Sequence, residues 1–125
     1  MKYIDSFKVF ENKSYKAINE ALSFTMADAA EEQGGVDMVK LNKTYAKYFK
    51  HIGAKDASQV YLLSIDDWYV EEDEWNEKEP ASKLNDKQMY FGTIQLGDIH
   101  GIPAFNISNE ADEYFFVGPK GAKEF

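Results

Sequence analysis

A chain of 125 residues with 44% hydrophobic and 15% aromatic content is too apolar to be a disordered acidic polymer. Its 22 acidic and 14 basic residues give a net charge of −8, every basic residue is lysine, and there is no cysteine. Disulfide staples, thiolate nucleophiles and cysteine-bound zinc are excluded, and the missing arginine with a pI near 4.7 argues against direct nucleic-acid binding.

The length fits one domain spanning 1–125 that buries roughly two thirds of the surface its unfolded chain would expose. The opening MKYIDSFKVFENK lacks the apolar run of a signal peptide, and no window approaches the roughly 18 apolar residues of a membrane span. The expectation is a soluble, cytoplasmic protein with no membrane partner.

Residues 2–10 (Tyr3, Ile4, Phe7, Val9, Phe10) alternate loosely and suit a short strand or an irregular arm equally. Asn12 or Ser14 then offers a cap, and Tyr15, Ile18, Leu22, Met26 and Ala29 follow at helical spacing. This predicts an amphipathic helix of about five turns ending at Gly34-Gly35, where glycine readily takes the left-handed conformation. Leu41, Tyr45, Tyr48, Phe49 and Ile52 form a second helical stripe, with Asn42 as its cap, Gly53 as its stop, and Lys43, Lys47 and Lys50 away from it. Such a stripe is core packing, because an amphipathic helix must bury that face.

Residues 59–65 (QVYLLSI) read as a buried strand. From about 66 to 88 charge, Pro80 and polar residues predominate, and the prediction is an acidic loop. Strand character returns at 89–96, with Tyr90, Ile94 and Leu96 on one face and Phe91 and Thr93 on the other. Residues 97–101 (GDIHG) form a hairpin connection to a strand at 102–107, which Pro103 assigns to an edge or to an irregular start. A last strand at 114–117 ends at Gly118-Pro119-Lys120-Gly121. The expected fold is α+β: two N-terminal helices packed on an antiparallel sheet of about four strands.

The charge is concentrated in one place. Residues 66–79 (DDWYVEEDEWNEKE) hold eight carboxylates and one lysine, which supplies −7 of the net −8. A solvated loop that keeps the protein soluble is the bland account of such a run. Trp68, Tyr69 and Trp75 favour a second account, since tryptophan and tyrosine anchor interfaces. Trp68 follows the buried strand closely and is also suited to packing beneath the sheet. The candidate partner-binding residues are therefore Asp66, Asp67, Trp68, Tyr69, Glu71, Glu72, Asp73, Glu74, Trp75 and Glu77. Carboxylates steer a basic protein partner and aromatics hold it.

Other chemistry is weakly marked. His100 stands two residues from Asp98 in a glycine-flanked turn, where a carboxylate would orient an imidazole for acid–base work, although turn chemistry selects the same residues. Asp66, Asp67, Glu71, Glu72, Asp73 and Glu74 are oxygen ligands without the spacing of a calcium loop. Phosphate-binding loops, nucleophile elbows and zinc-binding His-Glu pairs are missing, so no catalytic residue, metal or cofactor is assigned.

The order of features resembles the SUKH superfamily, whose bacterial members are often toxin-neutralising immunity proteins. Leu41, Tyr45, Phe49 and Gly53 match its helical signature, Trp68 its tryptophan, and Phe91-Gly92, Gly97-Asp98 and Tyr114 its later strand elements. The resemblance covers about residues 15–117 and implies protein binding without catalysis, with specificity in the variable acidic stretch. Three functions follow. The first is an immunity protein that covers the basic active site of a toxin. The second is a phage-type DNA mimic that inhibits a host nucleic-acid enzyme. The third is a small hydrolase or ligand-binding enzyme centred on Asp98 and His100.

Overall fold

Two strands of seven and nine residues, joined by a two-residue turn, form the centre of the fold. The structure is a computed structural model that describes residues 22–64, 70 and 72–125. Among these are six strands in one antiparallel sheet: β1 (Tyr61–Ser64), β2 (Trp75–Glu77), β3 (Ser82–Asn85), β4 (Phe91–Ile99), β5 (Ile102–Ser108) and β6 (Glu113–Val117). Four α-helices accompany them: α1 (Met26–Gln33), α2 (Met38–Thr44), α3 (Ala46–Ile52) and α4 (Pro119–Glu124). The strand order is β1-β6-β5-β4, and β2 and β3 share the remaining edge of β4. None of these helices is long and apolar enough to cross a membrane.

The expected α+β class and antiparallel sheet are present, with more strands than the four expected. One face of the sheet carries Ile94, Leu96, Phe105, Ile107 and Phe116 against Met26, Leu41, Tyr45, Phe49 and Ile52 of the helices. The predicted stripe of the second helix is this core. Phe105 stacks on Phe116 at 5.0 Å between ring centres, and Tyr48 and Phe49 meet Phe105 at 5.7 and 6.4 Å. On the other face Leu63, Ile99, Ala104, Phe115 and Val117 form a smaller cluster with Trp75, Ile102 and Phe125.

The first helix is shorter than its periodicity predicted. Thr25 is an extended N-cap that bridges to Tyr61, so 22–25 is not helical. Thr25 Oγ1 accepts from the Asp28 N–H and the Asp28 carboxylate accepts from the Thr25 N–H, a capping box that starts the helix at Met26. The arm at 2–10 and the caps Asn12 and Ser14 lie outside the described residues.

The second predicted helix is two. Tyr45 (φ −104°, ψ 10°) separates α2 from α3, Asp37 rather than Asn42 caps α2, and Asn42 instead accepts from the Ala57 N–H. Gly53 ends α3 in the left-handed conformation, as expected. The strand predicted at 59–65 begins only at Tyr61, because residues 57–59 form a 3-10 turn; Ile65 lies outside the described residues.

Three further expectations are corrected and one helix is added. The hairpin connection expected at 97–101 is only His100 and Gly101, because Gly97, Asp98 and Ile99 extend β4 and pair with β5. The acidic segment is not all loop, since β2 and β3 pair along β4, whose long outer edge would otherwise leave backbone groups unbonded. Pro103 does not mark an edge: β5 lies between β4 and β6. The tight turn makes Ile99 and Ile102 a hydrogen-bonded pair, so Pro103, opposite Asp98, turns its nitrogen away from β4, beyond the last paired residue of β6. Finally, residues 119–124 form α4, with Pro119 in the first turn where its missing N–H costs nothing. Gly118 sits so close to the Ile52 carbonyl that a Cβ would collide with it.

The fully buried Tyr45 donates its hydroxyl to Asp86 Oδ2 at 2.9 Å. Burial first, and then Asp86, holds its phenol well above the ordinary range; burial, with Tyr114 and Asp86 nearby, pushes Tyr90 up to about 12. Both groups bind their proton more tightly folded than unfolded. Their contribution is thus intact below pH ~10 and is lost as pH rises above it, at about 1.4 kcal/mol per pH unit for each. Alkaline denaturant titrations should show this fall, with Tyr45→Phe removing one share of the slope and costing about 1 kcal/mol at neutral pH. Gly118→Ala should lower the urea midpoint by more than Tyr45→Phe, because backbone rather than a movable side chain blocks its Cβ.

Candidate functional site

The acidic segment contributes a 3-10 turn, Glu72–Glu74, which leads into β2 at the end of the sheet. Among the sequence-predicted binding residues, Asp66, Asp67, Trp68, Tyr69 and Glu71 lie outside the described residues, and for Glu72 only the backbone is described. Asp73, Glu74, Trp75 and Glu77 are brought together on the turn and β2. Asp73 and Glu77 are exposed, and Glu74 and Trp75 are half-buried.

Strand alternation sorts these side chains. Trp75 and Glu77 share the sheet face that carries Phe115, while Asn76 and Lys78 point to the helical side. The Trp75 ring lies 5.4 Å from that of Phe115 and occupies the space a Cβ on Gly97 would need. Its Nε1–H donates to Gln95 Oε1 at 3.2 Å, and Gln95 Nε2 donates to Glu77 Oε2 at 2.6 Å and to the Glu79 carbonyl at 2.9 Å. Packing and hydrogen bonds within the chain therefore hold the indole and orient Glu77. The indole nevertheless remains only half-buried.

Nearby basic side chains are engaged by the fold. Lys78 Nζ is 3.2 Å from Asp98 Oδ2, Lys47 Nζ is 2.8 Å from Glu79 Oε1, and His100 Nε2 is 3.0 Å from Glu74 Oε2. Asp73 and Glu77 have no ion-pair partner among the described residues. Carboxylates thus face outward along β2 while the lysines beside them bind Asp98 and Glu79. Among the described residues no group of three or more carboxylates and imidazoles is arranged to hold a metal ion.

Asp98 and His100 have separate partners. The buried Asp98 accepts from Asn76 Nδ2 at 3.1 Å and from the Gly101 N–H at 3.2 Å, besides pairing with Lys78. The Asn76 hydrogen bond, opposed by burial and reinforced by Lys78 and Gly101, holds its carboxyl below the usual range. His100 (φ 54°) and Gly101 (φ 83°) are both left-handed, the pattern of a two-residue hairpin turn. Asp98 therefore ties β2 to β4 and braces this turn, while His51 donates from Nε2 to the Gly97 carbonyl at 2.8 Å and ties α3 to β4.

Sequence reasoning missed Gln95, Asn76 and Lys78 as the residues that set this surface. Their signal was the alternation within Trp75-Asn76-Glu77-Lys78-Glu79, a strand pattern obscured by charge. Comparisons with protein-family models, curated proteins and solved structures found no match for this chain. Its surface is accordingly read from geometry and charge.

Asp98→Asn should cost about 1–3 kcal/mol at neutral pH by weakening the Lys78 pair and the turn brace. Because folding lowers the pKa of Asp98, its stabilisation is present above the unfolded value near ~3.9 and is lost as pH falls through the lower folded value. The gap between native and variant urea stabilities should close there. His100→Asn should stay within about 0.5 kcal/mol of native, since asparagine tolerates the left-handed conformation.

Proposed function

We propose that this chain is a non-catalytic inhibitor that covers a basic surface of another protein with the acidic end of its sheet. The observation carrying this reading is the sorting of charge at β2. Asp73 and Glu74 on the 3-10 turn and Glu77 on β2 continue the acidic run of 66–72 in the sequence, while Lys47 and Lys78 are held by carboxylates of the fold. A one-signed field speeds encounter with a basic face and rejects acidic competitors, and the half-buried Trp75 adds apolar area.

The resemblance to SUKH immunity proteins directs this reading to a toxin whose active site is basic because it handles nucleic acid. A host nucleic-acid enzyme blocked by a DNA mimic presents the same physics, and the captured partner's identity separates the two. The non-catalytic reading is supported by Asp98, whose carboxylate is directed to Asn76, Lys78 and Gly101 and not to His100.

The test compares the native chain with a variant in which Glu71, Glu72, Asp73, Glu74 and Glu77 become glutamine or asparagine. Each is used to capture proteins from toxin-bearing and host lysates at about 50 mM and about 500 mM salt. A basic protein should be captured by the native chain, lost at high salt, and bound by the variant with an on-rate reduced about tenfold or more. Equal capture by both proteins would make the acidic stretch a solvated surface and overturn the proposal.

A further inference from the structure

We propose that the outer edge of β2 is a strand-docking site, and that its occupant is an extended, lysine-rich segment of the basic partner. The inference rests on the reading of this end of the sheet as a binding surface and specifies how the partner is held. Its support is the phase of the backbone hydrogen bonds. The tight turn makes Ile99 and Ile102 a bonded pair, so the backbone groups of Asp98 point toward β2, opposite Asn76. The Lys78 N–H donates to the Leu96 carbonyl at 2.9 Å, in the same phase. Asn76 and Lys78 therefore bond to β4, and the N–H and C=O groups of Trp75 and Glu77 point away from the sheet. Among the described residues β2 is the terminal strand; the Trp75 N–H closes the 3-10 turn onto the Glu72 carbonyl, and the Trp75 C=O and both Glu77 groups form no backbone hydrogen bond on that side.

These three groups form a short ladder for an added strand. Its side chains select the occupant. A residue placed opposite Glu77 lies about 5 Å away on the same face, the distance at which opposite charges on neighbouring strands attract and like charges repel. Lysine fits there, because its ammonium meets Glu77 and its stem can cover the half-buried Trp75 on the same face. Asp73 and Glu74 at the entrance to β2 extend the preference to flanking positions. A second copy of β2 would bring Glu77 and these carboxylates against their own kind, so the same residues block pairing between two copies of the chain.

The experiment uses the full isotope-labelled chain and two synthetic peptides of equal charge. Both alternate lysine with threonine; in the second, every backbone nitrogen is methylated, which keeps the charge and removes the donors a strand needs. Glu77→Pro deletes an outward N–H that β4 does not use, and Glu77→Gln keeps that donor without the charge. The unmethylated peptide should shift the amide resonances of Trp75 and Glu77, and bind about tenfold or more tightly than the methylated one. Glu77→Pro should reduce its binding similarly, and Glu77→Gln should reduce it less than Glu77→Pro does at high salt.

If both peptides bind the native chain equally, strand docking is overturned while the acidic-surface reading stands. That comparison does not depend on any variant folding. If neither peptide shifts the β2 amides even at low salt, docking at this edge is overturned, and the capture experiment alone decides the broader reading.

Discussion

The ladder between β4 and β5 sets the position of almost everything else in this chain. Because only His100 and Gly101 separate the strands, one bonded pair, Ile99 with Ile102, fixes the phase of every later pair. That phase places Ile94, Leu96, Phe105 and Ile107 on the helical face. It turns the Pro103 nitrogen beyond the end of β6 and presents the backbone groups of Asp98 to β2. A one-residue slip would exchange the faces and expose the aromatic core. The left-handed backbone of His100 is thus part of the register of the sheet, and Asp98 braces it through the Gly101 N–H.

The length of β4 makes the acidic end possible. Its outer edge is too long for β2 or β3 alone, and the two short strands share it with Pro80 in the link between them. Short edge strands rich in charge resist pairing with other copies. Here they also hold the carboxylates in a fixed row. Lys78 reaches back to Asp98, Lys47 crosses from α3 to Glu79, and Gln95 binds both Trp75 and Glu77. Among the described residues, the lysines beside Glu77 and Glu79 are therefore held by carboxylates of the fold.

The helical face shows a different economy of polar groups. Tyr45 occupies the break between α2 and α3, stacks on Phe49 at 5.9 Å and meets Tyr90 edge-on at 6.4 Å. Its hydroxyl reaches Asp86 in the connection from β3 to β4, so one buried phenol joins the helices to the sheet. An unpartnered hydroxyl in this position would cost more than the bond it makes contributes.

Much of this was legible in one dimension. The stripe Leu41, Tyr45, Phe49 and Ile52, the alternation around Ile94 and Leu96, and the presence of a turn within 97–101, though not its limits, identify the α+β class, because periodicity records which face each element buries. Capping chemistry was also present in Thr25-Met26-Ala27-Asp28, though a helical spacing that ran on through Leu22 hid it. The concentration of carboxylates in 66–79 is a property of the sequence alone. Which of those carboxylates face outward, and whether their neighbouring lysines neutralise them, was decided only by tertiary structure. Lys47 and Glu79 are 32 residues apart, and Trp75 is 20 from Gln95. Such pairings depend on the edge that β4 leaves open and on the phase of its ladder, quantities that no local pattern of residues contains.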